Sequence, residues 1–415
     1  MLKPGDVIPL TIEKPAAGGS MIARHEGRVV LVSGAIPGEQ VHARLVRVAK
    51  GVAHAEAVTI VEPSPDRREP SGDPLCGGCL YSFIEYPRQL AIKSQVIADA
   101  FARIGRLELP APVTVAGSPE DGYRMRARLH VRGARLGFFR ESTHDLCDAK
   151  GTRQLLPATL EALDRLMAAV RSIGADAVRE VELSENVAAS ERVVQLDTSE
   201  SIDARLVNKL VSVEGLTAGP YVTDTIAIGD TSLQLRRHVL SFFQGNRYLL
   251  SALVAHVAER VPLGSTVLDL YAGVGLFSVA AAVARGASVT AVEGDAQASA
   301  DLQANGAIAG GQMAALRAPV ESVGAAGAGV LSRIPGMDID TVIVDPPRTG
   351  MSPDAVAAVL NVKARRLIYV SCDVATLARD ARKIVDGGYR LEEIDAFDMF
   401  PNTPHVETVA VFATS

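Results

Sequence analysis

One of the four cysteines of this 415-residue chain, Cys372, sits in "RRLIYVSCDVAT", where a short apolar run delivers a thiol and then Asp373 to its carboxyl end. A lone cysteine ordinarily packs as a small hydrophobe. Polar Ser371 and Asp373 on either side argue instead for chemistry at the end of a strand. A thiolate is a strong nucleophile, and it helps where an acceptor carbon will not react directly with an alkylating agent. Carbon 5 of a pyrimidine is such an atom, because it becomes nucleophilic only after addition at carbon 6. The same chemistry needs a base to remove the carbon 5 proton, and a carboxyl with its pKa raised at a dry site suits that task. Glu407 in "DMFPNTPHVETVAVF" is the candidate, at the mouth of a terminal strand and two residues after His405.

A second set of residues points to a bound cofactor. "VLDLYAGVGLFSVAAA" places Asp269 at a strand end, Gly273 and Gly275 in the following turn, and a helix after them. Glycines there let a ligand approach the backbone, and the helix N-terminus offers oriented amides. Position 278 is Ser278, so the dinucleotide pattern G-x-G-x-x-G is incomplete and a pyrophosphate is disfavoured. Glu293, at the end of the next strand in "AVEGD", stands where a carboxylate accepts the ribose hydroxyls of an adenosine, a role shared by NAD and S-adenosylmethionine sites. Asp345 ends the strand after that, in "VDPPRTGM". The competing reading of Asp345 is a helix or turn cap.

The elements that must carry these residues are legible in outline. "TVLDLY", "SVTAVEG", "DTVIVDPP" and "LIYVSC" are near-continuous apolar runs separated by alanine-rich helices, the pattern of parallel strands covered on both faces. The fold class is therefore α/β, with a C-terminal doubly wound, Rossmann-like domain over residues 241–415 whose ligands sit at the strand carboxyl ends. "SFFQGNRYLLSALVAHVAERV" reads as the helix that opens it. Residues 1–62 alternate short β-rich runs with glycines, which predicts a small barrel. "EPSPDRREPSGDP" reads as a linker, and "YPRQLAIKSQVIADAFARIG" as one helix. The remainder of residues 63–240 is a β-rich central domain interrupted by one helix around "LPATLEALDRLMAAVRSI".

Composition bounds the rest. With 48% hydrophobic and 22% charged residues the chain is globular, and no apolar run is long enough to span a bilayer, so no membrane association is expected. The N-terminus shows no secretory pattern, which predicts a cytoplasmic protein whose cysteines are reduced. A net charge of −6 does not advertise a nucleic-acid binder. Yet "YRMRARLHVRGARLGFFR" carries Arg124, Arg126, Arg128, Arg132, Arg135 and Arg140 without an acid, either a solvated strand face or a phosphate-contacting surface.

"SFFQGN", "DLYAGVG", "VEGD", "VDPPRTGM", "YVSCD" and "FPNTPHVETV", in that order, resemble the signature set of the RNA uracil-5-methyltransferase family, whose catalytic domain is of the class I S-adenosylmethionine-dependent type. The resemblance implies Cys372 as nucleophile, Glu407 as general base, and Gln244, Tyr271, Gly273, Gly275, Glu293 and Asp345 around S-adenosylmethionine. Leu276 departs from the asparagine found in some members. The N-terminal barrel is similar to the OB-like TRAM domain, common in the branch acting on ribosomal RNA, so RNA is the expected partner, with 23S ribosomal RNA favoured over transfer RNA and a monomer expected. Members of the family also hold a four-iron cluster on four cysteines. Here Cys76, Cys79 and Cys147 remain once Cys372 is assigned to chemistry, Pro70 stands at the first ligand position and Thr152 near the last. An iron–sulfur cluster is therefore not expected, and the three thiols read as an incomplete metal set. Competing readings are 5-methylcytosine formation by the same addition, N-methylation around "DPPR", and a non-catalytic RNA-binding protein.

Overall fold

The computed structural model describes residues 2–133, 135–141, 143–172, 178–199, 213–323 and 338–414. Five strands open the chain: β1 (Val7–Pro15), β2 (Met21–His25), β3 (Arg28–Ser33), β4 (Gln40–Val48) and β5 (Val52–Glu62). They close into a barrel in the order β1-β2-β3-β5-β4, antiparallel except for the β3 and β5 pair. Ile8, Leu10 and Ile12 of β1 and Val41, Ala43 and Leu45 of β4 alternate with exposed neighbours and fill the interior. Tyr81, Phe83 and Ile92 extend that core beyond the barrel.

The segment 62–74 is not a free linker. Arg67 donates two hydrogen bonds of 2.6 and 2.7 Å to the fully buried Glu39, and Arg68 pairs with Glu120. Charged residues that look solvated in sequence are here the partners of buried or half-buried acids, which are costly to leave unpaired. Helix α1 (Tyr86–Ala100) follows, with Pro87 in its first turn where a missing N–H costs nothing.

The central sheet contains β7 (Arg126–Arg132), β8 (Arg135–Phe139), β9 (Leu146–Asp148), β10 (Val178–Glu185) and β11 (Arg192–Thr198), in the order β11-β10-β7-β8-β9. Helix α2 (Pro157–Ser172) covers it, packing Leu163, Leu166 and Val170 against Leu129, Val181 and Leu183. A hairpin of β12 (Tyr221–Ile228) and β13 (Thr231–His238) packs on the C-terminal layer instead, through Ile226, Leu233 and Leu235.

That layer is an eight-stranded sheet. Besides the short β6 (Val115–Ala116) it holds β14 (Thr266–Leu270), β15 (Ser288–Glu293), β16 (Met313–Arg317), β17 (Thr341–Val344), β18 (Arg366–Ser371), β19 (Tyr389–Phe397) and β20 (Glu407–Thr414), in the order β16-β15-β14-β17-β18-β20-β19-β6. The first five are parallel, and β20 inserts antiparallel between β18 and β19. Helices α3 (Leu250–Glu259), α4 (Leu276–Arg285), α5 (Ala296–Gly306), α6 (Pro353–Val362) and α7 (Val374–Asp386) accompany the strands. β6 and α1 come from the segment expected in the central unit, yet β6 pairs with β19, and Ile97, Phe101 and Val115 join this core.

The helix expected over 241–261 is helical only from Leu250 to Glu259. The preceding stretch is extended because its backbone bonds to residues 123–125: Met125 N–H donates to Gly245 at 2.8 Å and Arg247 N–H to Tyr123 at 2.9 Å. Tertiary pairing overrides the local apolar spacing. No helix among the described residues is long and apolar enough to cross a membrane.

Candidate active site

The rim of the sheet gathers the sequence-derived residues. Strands β14, β15, β17 and β18 run parallel, so their carboxyl ends bring Tyr271, Glu293, Asp345 and Cys372 to one edge, at the switch point where the chain leaves β14 in both directions. Because β20 runs the other way, its first residue lies at that same edge. Ser371 pairs with Thr408, which sets Glu407 opposite Cys372. A cavity of about 610 Å³ opens there, lined by Gln244, Tyr271, Gly273, Glu293, Asp345, Cys372 and Glu407. Gly275 is the exception among the expected cofactor residues. It caps α4 in a left-handed conformation and faces Leu302 rather than the cavity.

S-adenosylmethionine fits this wall. Glu293 accepts hydrogen bonds from the backbone of Gly273 at 2.8 Å and Asp295 at 2.6 Å, so its carboxylate closes the glycine turn. A Cβ at Gly273 would meet no atom within 4 Å and would project into open space, while Leu276 offers an apolar surface beside it. Beneath the turn, Asp269 accepts from Ser278 through one oxygen and leaves the other, Oδ1, buried without a partner. Burial, opposed by Ser278 and reinforced by Glu293, pushes its pKa up to about 7. Gln244 donates to Asp345 at 3.5 Å. Asp345 is likewise pushed up to about 7, by burial first and then by Asp269.

The reacting end is equally perturbed. Burial, then the Glu407 carboxyl, pushes the Cys372 thiol up to about 12, while Arg348 acts in the opposite direction. Burial, then Asp345, raises Glu407 well above an ordinary glutamate. His405 lies outside the cavity wall, edge-on to Phe400, and burial keeps it neutral with a pKa of about 4.

Several lining residues were not singled out for the site from sequence. Arg348 follows "DPP", a position readable as part of a stiff turn. Arg124 and Arg126 belong to the arginine-rich segment but enter this cavity, and neither forms an ion pair among the described residues. Arg128 and Arg140 do pair, with Glu182 and Asp73, so that face is partly neutralised. Phe242 is 63% exposed at the mouth, with the Arg126 guanidinium 5.9 Å from its ring centre. The signal available for it was its place in "SFFQGN", two residues before Gln244.

The remaining cysteines meet in one buried cluster, away from the cavity. Cys76 and Cys147 form a disulfide with Cα atoms 5.9 Å apart, which corrects the expectation of three reduced thiols. An isolated bridge between Cys76 and Arg140 lays the 73–79 turn against the β8 and β9 hairpin and so brings the two sulfurs together. Cys79 stays free, its thiol pushed up to about 12 by burial. This donor set does not fit a four-iron cluster. Two of its three sulfurs are bonded to each other, which leaves Cys79 as the one free thiol where a four-iron cluster takes four.

Comparison with known proteins agrees with the geometry. A sequence profile of the tRNA (uracil-5-)-methyltransferase family matches residues 181–414, and one of the TRAM domain matches residues 2–58. An uncharacterized RNA methyltransferase of Corynebacterium efficiens is 32% identical, covering 99% of this chain and 96% of that protein. The 23S rRNA (uracil(1939)-C(5))-methyltransferase of Pseudomonas putida is 32% identical over 97% of this chain and 93% of its own length. The crystal structure of Pyrococcus abyssi tRNA (uracil-54, C5)-methyltransferase, in complex with S-adenosyl-L-homocysteine, superposes with a TM-score of 0.75 at 27% identity, covering 97% of this chain and 99% of that one. The chain therefore belongs to the tRNA (uracil-5-)-methyltransferase family as an S-adenosylmethionine-dependent RNA methyltransferase with an N-terminal TRAM domain.

Proposed function

We propose that this enzyme makes 5-methyluridine in 23S ribosomal RNA in the cytoplasm, with Cys372 as nucleophile and Glu407 as general base. The observation that carries the roles is the register of β20, which sets Glu407 opposite Cys372 across one cavity. The Cys372 thiolate adds to carbon 6 of the uracil, and the electron pair of the 5,6 double bond moves onto carbon 5 and the carbon 4 oxygen as an enolate. S-adenosylmethionine, when bound, supplies the electrophilic methyl group that carbon 5 takes. Glu407 then removes the carbon 5 proton, the 5,6 double bond re-forms and the thiolate leaves.

The electrostatics suit that order. Burial favours the protonated forms of Cys372 and Glu407, so before the reaction each gives up its proton to solvent, which leaves a thiolate to add to carbon 6 and a carboxylate to take the carbon 5 proton. Arg348 is the cation that opposes both shifts, and it lowers the cost of the thiolate. A uridine must leave its stack to reach Cys372, and Phe242 at the mouth offers a face for a neighbouring base. Arg124 and Arg126 offer uncommitted positive charge to the phosphates beside it.

The ribosomal target rests on the similarity to the Pseudomonas enzyme; the full-length likeness to the Pyrococcus protein favours transfer RNA as the second reading. Cys372→Ala abolishes methylation and adduct formation, whereas Glu407→Gln accumulates a covalent protein–RNA adduct on a denaturing gel. A Cys372→Ala enzyme that still methylates overturns the mechanism. Mapping 5-methyluridine in ribosomal and transfer RNA of a deletion strain decides the target, and 5-methylcytosine as the missing nucleoside would overturn the pyrimidine assignment.

A further inference from the structure

Glu407 is buried, yet among the described residues no side chain hydrogen-bonds its carboxyl. Its aim is set by backbone alone. It is the first residue of β20, where the ladder to β19 ends at the Phe397 and Glu407 pair, and the end of a ladder is the part that frays. What precedes it is the loop 398–406, and that loop is fastened from outside the catalytic sheet.

The fastening comes from one face of α1. Tyr86, Gln89 and Lys93 are spaced at i, i+3 and i+7, so they share a face. Lys93, 1% exposed, pairs with the fully buried Asp398 at 2.5 Å and donates to the Phe400 carbonyl at 3.2 Å. Gln89 grips Asn402 from both sides of its amide: Nε2 donates to Asn402 Oδ1 at 2.9 Å, and Oε1 accepts from Asn402 N–H at 3.0 Å. Arg68 donates to the same Oδ1 at 3.0 Å, and Tyr81 N–H to the Asn402 carbonyl at 2.8 Å. Asn402 needs such a grip, because it sits at φ 63°, a left-handed conformation that the loop must hold to turn the chain towards β20. Gln89 Nε2 also donates to the Tyr81 and Ile84 carbonyls at 3.1 and 3.0 Å, which ties the 81–84 turn to the same point, and neither Gln89 nor Lys93 lines the cavity.

We propose that Gln89, Lys93 and Asn402 are positioning residues for the proton-removal step, with α1 aiming the Glu407 carboxyl through the Asn402 turn. The inference rests on Glu407 being the base. Misplacing a reacting group by about 1 Å costs on the order of a hundredfold in rate, so loosening this turn slows elimination far more than it weakens RNA binding.

The test uses the full-length enzyme, S-adenosylmethionine and an RNA carrying the target uridine. Gln89→Leu removes the double grip. Asn402→Gly removes only the side-chain acceptor, keeps the amide N–H, and is at ease at positive φ, so it decides the matter should Gln89→Leu fail to fold. Both variants are expected to lower kcat by about tenfold to a hundredfold with KM for RNA unchanged, and to raise the ratio of covalent adduct to product. Adduct and product falling together, or kcat staying at the parent value, overturns the proposal. Glu407→Gln run alongside separates the two readings: if it accumulates no adduct, the base assignment itself fails and this inference falls with it.

Discussion

At the scale of single residues, burial raises the pKa of the acids that face the reacting centre. Asp345 faces Asp269 and Glu407, and burial together with Asp269 pushes it up to about 7. A raised carboxyl is protonated below that value, and a cationic sulfonium is attracted only to its ionised form. Binding of S-adenosylmethionine therefore releases a proton when the pH lies below about 7 and releases none well above it. The expected outcome is an affinity that falls as pH drops through 7 and levels off above about 8. Titration calorimetry in buffers of different ionisation enthalpy reads the released proton directly. An affinity flat from pH 5 to 8 would show that Asp345 is already ionised before the cofactor binds. Asp345→Asn should weaken binding and flatten the profile, because the amide has no proton to lose while Gln244 and the Glu293 turn stay in place.

At the scale of elements, the two glycines of the β14 to α4 turn do different work although the sequence presents them as one motif. Gly273 borders the cavity and its absent Cβ points into open space, whereas a Cβ at Gly275 would lie 2.8 Å from the Leu302 side chain. Both have positive φ, 57° and 93°, and the first lies where alanine is strained by only about 1 kcal/mol. Gly273→Ala is expected to keep its melting temperature within a few degrees and to lose S-adenosylmethionine binding, while Gly275→Ala unfolds at lower temperature through the clash on α5. Thermal melts with and without cofactor distinguish them, and equal effects from both would contradict the assignment. The contrast also marks how far the sequence could be read. Parallel strands announce themselves as apolar runs, and the acid or thiol ending each run falls at the ligand rim, so Glu293, Asp345 and Cys372 were legible. The insertion of β20 beside β18 was not, because strand pairing at long range leaves no local pattern. The need for a base and the "FPNTPHVETV" resemblance, not any pairing pattern, joined Glu407 to Cys372 before the register did. For the same reason Gln89 and Lys93 passed unremarked. Two polar residues on an amphipathic helix read as its solvent face until the loop they hold is in view.

At the scale of the whole molecule, the barrel, central sheet and catalytic sheet are fastened at a few buried points rather than merely linked. Arg67 locks onto Glu39, Arg68 reaches both Glu120 and Asn402, and a Cβ on Gly19 of the barrel would lie 2.9 Å from Pro404 in the base loop. Pairing of this kind consumes many of the acids behind the net charge of −6, while Arg124, Arg126 and Arg348 at the cavity form no ion pair among the described residues, which reconciles an acidic chain with an RNA substrate. The Cys76–Cys147 disulfide is the covalent member of the set. It closes a loop of 71 residues, and the loss of unfolded-chain entropy on closing such a loop stabilises by about 4 kcal/mol. Both sulfurs are buried, so a reductant in solution reaches them only when this region opens. Protein purified without reductant and then denatured should therefore titrate two thiols, Cys79 and Cys372, and four after reduction. The same preparation should carry no iron and show no absorbance near 400 nm even when purified anaerobically. Reduction, or Cys76→Ser, should lower the denaturation midpoint while leaving methylation intact in whatever fraction remains folded, because the cluster lies outside the cavity wall. Four thiols before reduction, or iron in proportion to protein, would mean that these sulfurs are held as metal ligands and that the bond between Cys76 and Cys147 does not form.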